Sequence, residues 1–463
     1  MSRRLTLAIF VGILGCLTVA AVTLLKIGIP LTQSDSASYI AWSPDRSPGY
    51  PFFVSLVAEM SPDYELLPPV QYLLLVAAVA AICDAFALLL RSPWPAFTLA
   101  LAIFGNVFLM RYPGGIMADS LFISLVLAHV AFLLYAIDDP RRVWLGLSGL
   151  MLGFAVLVRP VGYSFLFALP WIAILWRKDR IRRTALVAIV AIAPIFLACL
   201  GNQLSRGYFG IQTLGNKVLV SSIAIMLPAR IPGFDPAITS KTYDELRPLR
   251  EGVQHAQNWE QRALARYFTA ILGTPAGQVA IETVDANPSV WMTHSPYWRD
   301  LAIDRLSGQL ARRIVWLKPW EFADKVFHEF YGLWFLVTLN TEANSTAAMD
   351  GFGQYGLQNL DLLQSAVKIV PTWAYILKFA ILGAVALSSL SVIFAALVRR
   401  SPQLSALAYI SISVQLYFLL IAGTGAAVPR YVMTIWPLQC VLVIGVPFLF
   451  FRRQAILAGS QVA

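Results

Sequence analysis

Residues 5–25 read LTLAIFVGILGCLTVAAVTLL, and shortly afterwards come Ser34-Asp35-Ser36-Ala37-Ser38-Tyr39 and Arg46-Ser47-Pro48-Gly49-Tyr50-Pro51. The first stretch carries no charge and is long enough to cross a bilayer core as a helix. The second gathers a carboxylate, an arginine and tyrosines where such a helix leaves the membrane. Charged groups held at that boundary are costly and mark sites more often than packing.

Composition carries the reading outward from this segment. Hydrophobic residues make up 58% of the 463 and charged ones 13%, with a mean hydropathy of +0.68. A water-soluble chain of that balance would expose too much apolar surface. Further apolar runs occupy 67–90, 94–110, 120–136, 143–157, 163–176, 184–200, 373–398, 404–422 and 431–451. The spacing predicts an all-α membrane protein of about ten transmembrane helices, not a barrel with its short alternating segments. The runs 143–157 and 163–176 are short enough to form a hairpin in a thinned part of the bilayer. Lys26-Ile27-Gly28-Ile29-Pro30 lacks the small-residue pattern of a cleavage site, so the first helix is expected to be retained.

The net charge of +10 is distributed in short loops: Arg91, Arg141-Arg142, residues 177–183, Arg399-Arg400 and Arg452-Arg453. With both termini cytoplasmic, all of these fall on one side, the arrangement the positive-inside rule describes. The basic balance then reports orientation and anionic lipid rather than nucleic acid. Cys16, Cys83, Cys199 and Cys440 all lie in apolar runs and suggest neither a disulfide nor a zinc site.

This parity sends the chemically distinctive segments to the opposite, outer side. They are the first outer loop (26–66), the loop 111–119, Arg159-Pro160, and Pro429-Arg430-Tyr431. The long insertion 205–370 goes there too. It is expected to be mostly helical, with segments at 242–272 and 298–316. Its tryptophans Trp291, Trp298, Trp316, Trp320 and Trp334 suit a cap lying partly in the membrane interface. Asn344-Ser345-Thr346 matches a glycosylation triplet, a pattern common by chance. Three regions result: an N-terminal membrane module (1–204), which holds the candidate site residues, the insertion (205–370) and C-terminal membrane helices (371–463).

Asp35 has two compatible readings. It suits the N-cap of a juxtamembrane helix, and on that helix it shares a face with Tyr39. Asp119, opening the fourth span, is either a cap favoured by the helix dipole or a second acid. Arg159 and Arg430 sit beside prolines at the outer face; each either snorkels to the interface or binds a phosphate or carboxylate. Arg111 is a weaker candidate of the same kind. Lys217, His294 and His328 in the insertion are more simply read as solvated.

The order Asp35-x-x-x-Tyr39, Arg46-x-Pro48-Gly49-Tyr50-Pro51, Asp119, Leu157-Val158-Arg159-Pro160 and Pro429-Arg430-Tyr431 resembles polytopic C-type glycosyltransferases. The similarity is to bacterial relatives of the protein O-mannosyltransferases and of the lipid A aminoarabinose transferase. It covers the N-terminal half and the last helix, while the insertion matches poorly. It implies an inner-membrane enzyme taking a sugar from a polyprenyl-phosphate donor to a glycan, lipid or protein acceptor, with Asp35 catalytic. General-base activation of a hydroxyl and arginine stabilisation of a departing phosphate agree with that implication. The expected site is Asp35 and Asp119 as acids, Arg46, Arg159 and Arg430 on the donor phosphate, and Tyr39, Tyr50, Arg111 and Tyr431 lining the substrate. Some C-type enzymes hold a divalent cation on paired acids, and Asp35 and Asp119 could form such a pair; with no dense acidic cluster visible, the expectation is a metal-independent reaction in which Arg46, Arg159 and Arg430 replace the cation. The alternative is a transporter or flippase, though charges at one face and the absence of repeated halves favour transfer.

Overall fold

The computed structural model describes residues 3–24, 31–33, 35–139, 141–175, 179–213, 215–254, 274–292, 295–335, 383, 387–394, 396, 401–425 and 429–460. Most of the expected span 373–398 and the triplet at Asn344 lie outside the described residues. Among these residues there are helices and turns but no strand. Among the described residues, five helical segments are long and apolar enough to cross a membrane, and a bent pair makes a sixth when taken as one span. The chain is a multi-pass membrane protein that divides into two compact units. One comprises Met1–Leu200, Ala384–Tyr417 and Met433–Ala463; the other Gly201–Gly383 and Phe418–Val432.

The first unit begins with α1 (Arg3–Leu24), the short α2 (Ser36–Ile40) and α3 (Gly49–Ala58). The spanning α4 (Leu67–Leu90) starts on Pro68-Pro69, where missing N–H groups cost nothing, and stops at Arg91 in the left-handed region. The expected span 94–110 is interrupted. α5 (Trp94–Phe104) and α6 (Val107–Arg111) meet at Gly105-Asn106 with a bend of 59°. The Asn106 backbone is extended and its side chain accepts from Leu109 N at 3.1 Å. Hydropathy cannot see this break, because one asparagine barely lowers the average while capping a new helix.

α7 (Ala118–Asp138) is largely buried and packs against α4 and against α8 (Arg142–Val158). His129 on α7 bonds Ser148 on α8 at 2.8 Å and the Tyr409 hydroxyl at 2.9 Å, a polar clamp inside the bundle. α9 (Tyr163–Ile172) is short; α10 (Arg180–Arg206) is a long apolar helix. Gly149 and Gly153 let α8 lie against the α10 backbone. A Cβ on Gly149 would stand 2.6 Å from Val187 O, and one on Gly153 2.5 Å from Ala191 O. Cys83, Cys199 and Cys440 are buried free thiols, as apolar placement predicts, and Cys16 is exposed.

The second unit has its own apolar core. α11 (Gly215–Ser222), α12 (Pro236–Glu245), α13 (Arg247–Gln254), α14 (Thr274–Ala286), α15 (Pro288–Trp291) and α16 (Trp298–Leu317) enclose Val220, Leu246, Val279, Ile303, Leu306 and Leu310. The helix expected at 242–272 is thus two shorter ones followed by residues outside the described set, whereas the one at 298–316 forms as read. α17 (Pro319–Phe335) carries Lys325, only 2% exposed. Its ammonium donates to the carbonyls of Ala422 and Gly425 at 2.7 and 2.8 Å. These carbonyls lie in the last turn of α18 (Pro402–Thr424) and just beyond it, where a cation also complements the helix dipole. The last helix is α19 (Pro429–Ser460).

Gly153→Val is expected to push α8 from α10 and cost about 1–3 kcal/mol, read as a lower unfolding midpoint in detergent. Gly146→Val, where a Cβ meets nothing within 4 Å, is the control and leaves the midpoint undiminished.

Candidate active site

Asp35 occupies the N-cap position of α2, yet its side chain makes no capping bond. One carboxylate oxygen accepts from Arg46 Nη2 at 2.7 Å instead. Arg46 Nε donates to Ser38 Oγ at 2.8 Å, and Ser38 Oγ donates to the Asp35 carbonyl at 2.6 Å. The guanidinium also lies 4.9 Å from the centre of the Tyr39 ring, a cation–π distance. The first outer loop therefore closes on itself through one arginine.

That loop is anchored in turn. Tyr39 meets Tyr50 edge-to-face at 4.9 Å. The buried Tyr50 hydroxyl donates to Gln71 Oε1 at 3.2 Å. Gln71 Nε2 then donates to the carbonyls of Pro113 at 3.0 Å and Gly115 at 2.9 Å, steadying the turn before α7. Ser36 Oγ donates to Ile116 O at 3.1 Å, and Ile116 N to Leu31 O at 2.8 Å. Gly49 at the start of α3 sits directly on the Leu157 backbone. An added Cβ would lie 2.7 Å from the Leu157 carbonyl carbon, so no larger residue allows this approach.

The Gly49 contact lies two residues before Arg159, at the end of α8. The Arg159 backbone is extended, and Arg159 Nη1 donates to the carboxylate of Asp119 in the first turn of α7. The pair is nearly dry, with side-chain exposures of 12% and 3%. Thr434 Oγ1, from α19, donates to the same Asp119 oxygen at 3.3 Å.

The two pairs meet at Tyr39. Arg46, Arg159, Asp119 and Asp35 all act on its phenol electrostatically, while burial, the largest influence, raises its pKa. At neutral pH Tyr39 is accordingly an O–H donor, not a phenolate. Residues far apart in sequence thus form one polar cluster at the ends of α7 and α8.

The other expected residues fall as follows. Tyr50 lies within the cluster's support. Arg111 is the last residue of α6, on the connection to α7, and Tyr431 lies in the first turn of α19. Arg430 stands one turn before Thr434 on that helix, and its side chain lies outside the described residues. Lys217 pairs with Asp300 at 3.4 Å within the second unit, and His328 bonds Asp324 of its own helix. His294 is outside the described residues. The sequence reading missed Ser38, Gln71 and Thr434. Only Gln71 left a signal, as an amide inside an apolar run.

A divalent cation does not suit this donor set. Each acid is already engaged by a guanidinium, and no group of three or more His, Cys, Asp or Glu fit for a metal occurs among the described residues.

No family model matches the chain, and no curated protein matches it. Among solved structures it is similar to the archaeal oligosaccharyltransferase AglB from Archaeoglobus fulgidus, in complex with an inhibitory peptide and a dolichol-phosphate. Identity is 13% and the TM-score 0.42, covering 99% of this chain and 51% of that one. The chain therefore spans about half the length of that protein.

Arg159→Met is expected to strand the Asp119 carboxylate and destabilise the protein by about 3–5 kcal/mol. The double variant Arg159→Met/Asp119→Leu should recover most of that loss in denaturation monitored by circular dichroism, since no unpaired charge remains.

Proposed function

We propose that this chain is an inverting glycosyltransferase moving a sugar from a polyprenyl-phosphate donor to a hydroxyl acceptor at the outer, periplasmic face of the inner membrane. The reading rests on one observation above all: two aspartate–arginine pairs from separate segments act on one half-buried tyrosine, Tyr39. Such a cluster holds both signs of charge needed for displacement of a phosphate by a hydroxyl.

In this reading the Asp35 carboxylate takes the proton from the acceptor hydroxyl as it attacks the anomeric carbon. The carbon–oxygen bond to the phosphate breaks on the opposite face, so configuration inverts. Negative charge grows on the departing phosphate and needs donors already in place. A guanidinium has five N–H groups, so Arg159 can keep its bond to Asp119 and still present donors to a phosphate. Asp119 and Thr434 orient Arg159, Arg46 holds Asp35, and Arg430 is assigned to the same phosphate. Tyr39 donates its O–H to the sugar or phosphate, with Tyr50, Arg111 and Tyr431 completing the substrate surround. About ten spans, with both termini cytoplasmic, would expose a lateral path for the polyprenyl tail.

The deciding experiment follows transfer from radiolabelled polyprenyl-phosphate sugars by reconstituted protein. Asp35→Asn is expected to lower turnover by roughly 10²–10⁴ while the unfolding midpoint stays close to wild type. Transfer at the wild-type rate by that variant removes Asp35 as the base. Wild-type protein that consumes no donor but moves lipid-linked sugar between leaflets would establish the flippase reading instead.

A further inference from the structure

Within the outer loop, α2, α3 and the turn that follows line an open cavity of about 310 Å³ whose walls include none of the charged cluster's residues. Two aromatic residues wall it, Trp42 and Tyr64, over a floor that includes the buried Val54. Both aromatic residues have left-handed backbones, with φ of +50° and +64°. Few non-glycine residues adopt that conformation, and bulky ones least of all.

The Trp42 case is specific. Trp42 N bonds to Tyr39 O and Ser43 N to Ser38 O, at 3.3 and 3.0 Å. This is the pattern that ends a helix with a left-handed residue, normally glycine. An indole in glycine's place adds strain without improving the turn. Strain of this kind persists at sites where the side chain is used.

Glu59 is the sole charged residue lining the cavity, and its carboxylate has no ion-pair or hydrogen-bond partner among the described residues. Two aromatic side chains and one free carboxylate, with no lysine or arginine in the lining, match a cationic ligand rather than an anionic one. Phe52, Leu56 and Met60, four residues apart along the same segment, stand exposed as an apolar stripe. A stripe of that kind suits acyl chains and would bring the cavity mouth to headgroup level.

We infer that the Trp42–Tyr64–Glu59 cavity binds an alkylammonium group, with the exposed stripe favouring an aminophospholipid headgroup as its source. The inference does not rest on the transferase reading, since neither donor nor acceptor enters it.

The test uses the full chain with ethanolamine as soluble probe and ethylene glycol as its neutral counterpart, followed by ligand-observed NMR. In parallel, native mass spectrometry measures phosphatidylethanolamine retained from nanodiscs of phosphatidylethanolamine and phosphatidylglycerol. Wild type is expected to bind ethanolamine but not ethylene glycol and to retain phosphatidylethanolamine. Glu59→Gln, at an exposed position, should weaken amine binding about tenfold, the usual scale for losing one charged hydrogen bond. Trp42→Gly should also lose binding while its unfolding midpoint stays level or rises, because glycine relieves the turn. A tryptophan that only packs would lose stability instead. Glu59-dependent ethanolamine binding without Glu59-dependent lipid retention assigns the cavity to a soluble amine. Binding of either probe that is indifferent to Glu59→Gln, or equal for ethanolamine and ethylene glycol, overturns the proposal.

Discussion

A carboxylate withdrawn from water at the head of a helix bundle must find a cation, and Asp119 finds Arg159. The rest of the first unit is arranged around that constraint. Asp119 sits in the first turn of α7, where the helix dipole already favours negative charge. Arg159 leaves α8 through an extended residue, so its guanidinium reaches back across the interface instead of continuing along the helix. Thr434 adds a hydroxyl from α19. Three helix ends are thereby tied to one oxygen, and the Asp35 loop is fixed to the same elements by Ser36 on the Ile116 carbonyl and Gly49 on the Leu157 backbone.

The outer loop is held more by backbone geometry than by charge. Gly49 lies on the Leu157 main chain, and Gln71 donates to the carbonyl of Pro113 and shares that of Gly115 with the Met117 N–H. Buried carbonyls left unpaired cost more than a typical hydrogen bond gains, so an amide in an apolar helix is a structural necessity here. The half-buried, more open pair Asp35–Arg46 is energetically modest by comparison. It is open enough to exchange partners with a substrate, whereas the drier Asp119–Arg159 pair is suited to staying fixed.

Steric permissiveness is used in two opposite ways in this molecule. At Gly49, Gly149 and Gly153 the missing Cβ admits another backbone. At Trp42 the chain takes a glycine-like turn while carrying the largest side chain available. The first use serves packing; the second trades local ease for an aromatic wall.

Much of the fold is written in contiguous sequence. Helices at 67–90, 120–136 and 404–422 follow from runs of apolar residues, because hydropathy and helix propensity are properties of a segment alone. The identities of Asp35, Arg46, Asp119 and Arg159 were legible for the same reason: a charge beside an apolar run stands out. Which arginine pairs with which aspartate was not legible, since partners forty residues apart meet only when α8 packs on α7 and α3 lies on Leu157. Thr434 carried no local signal at all, and one asparagine was enough to break the span at 94–110. Sequence alone determined the elements and the chemical inventory at their ends. Tertiary packing decided the pairings, because distance between residues remote in the chain is set by the close approach of helices and not by either segment's own preferences.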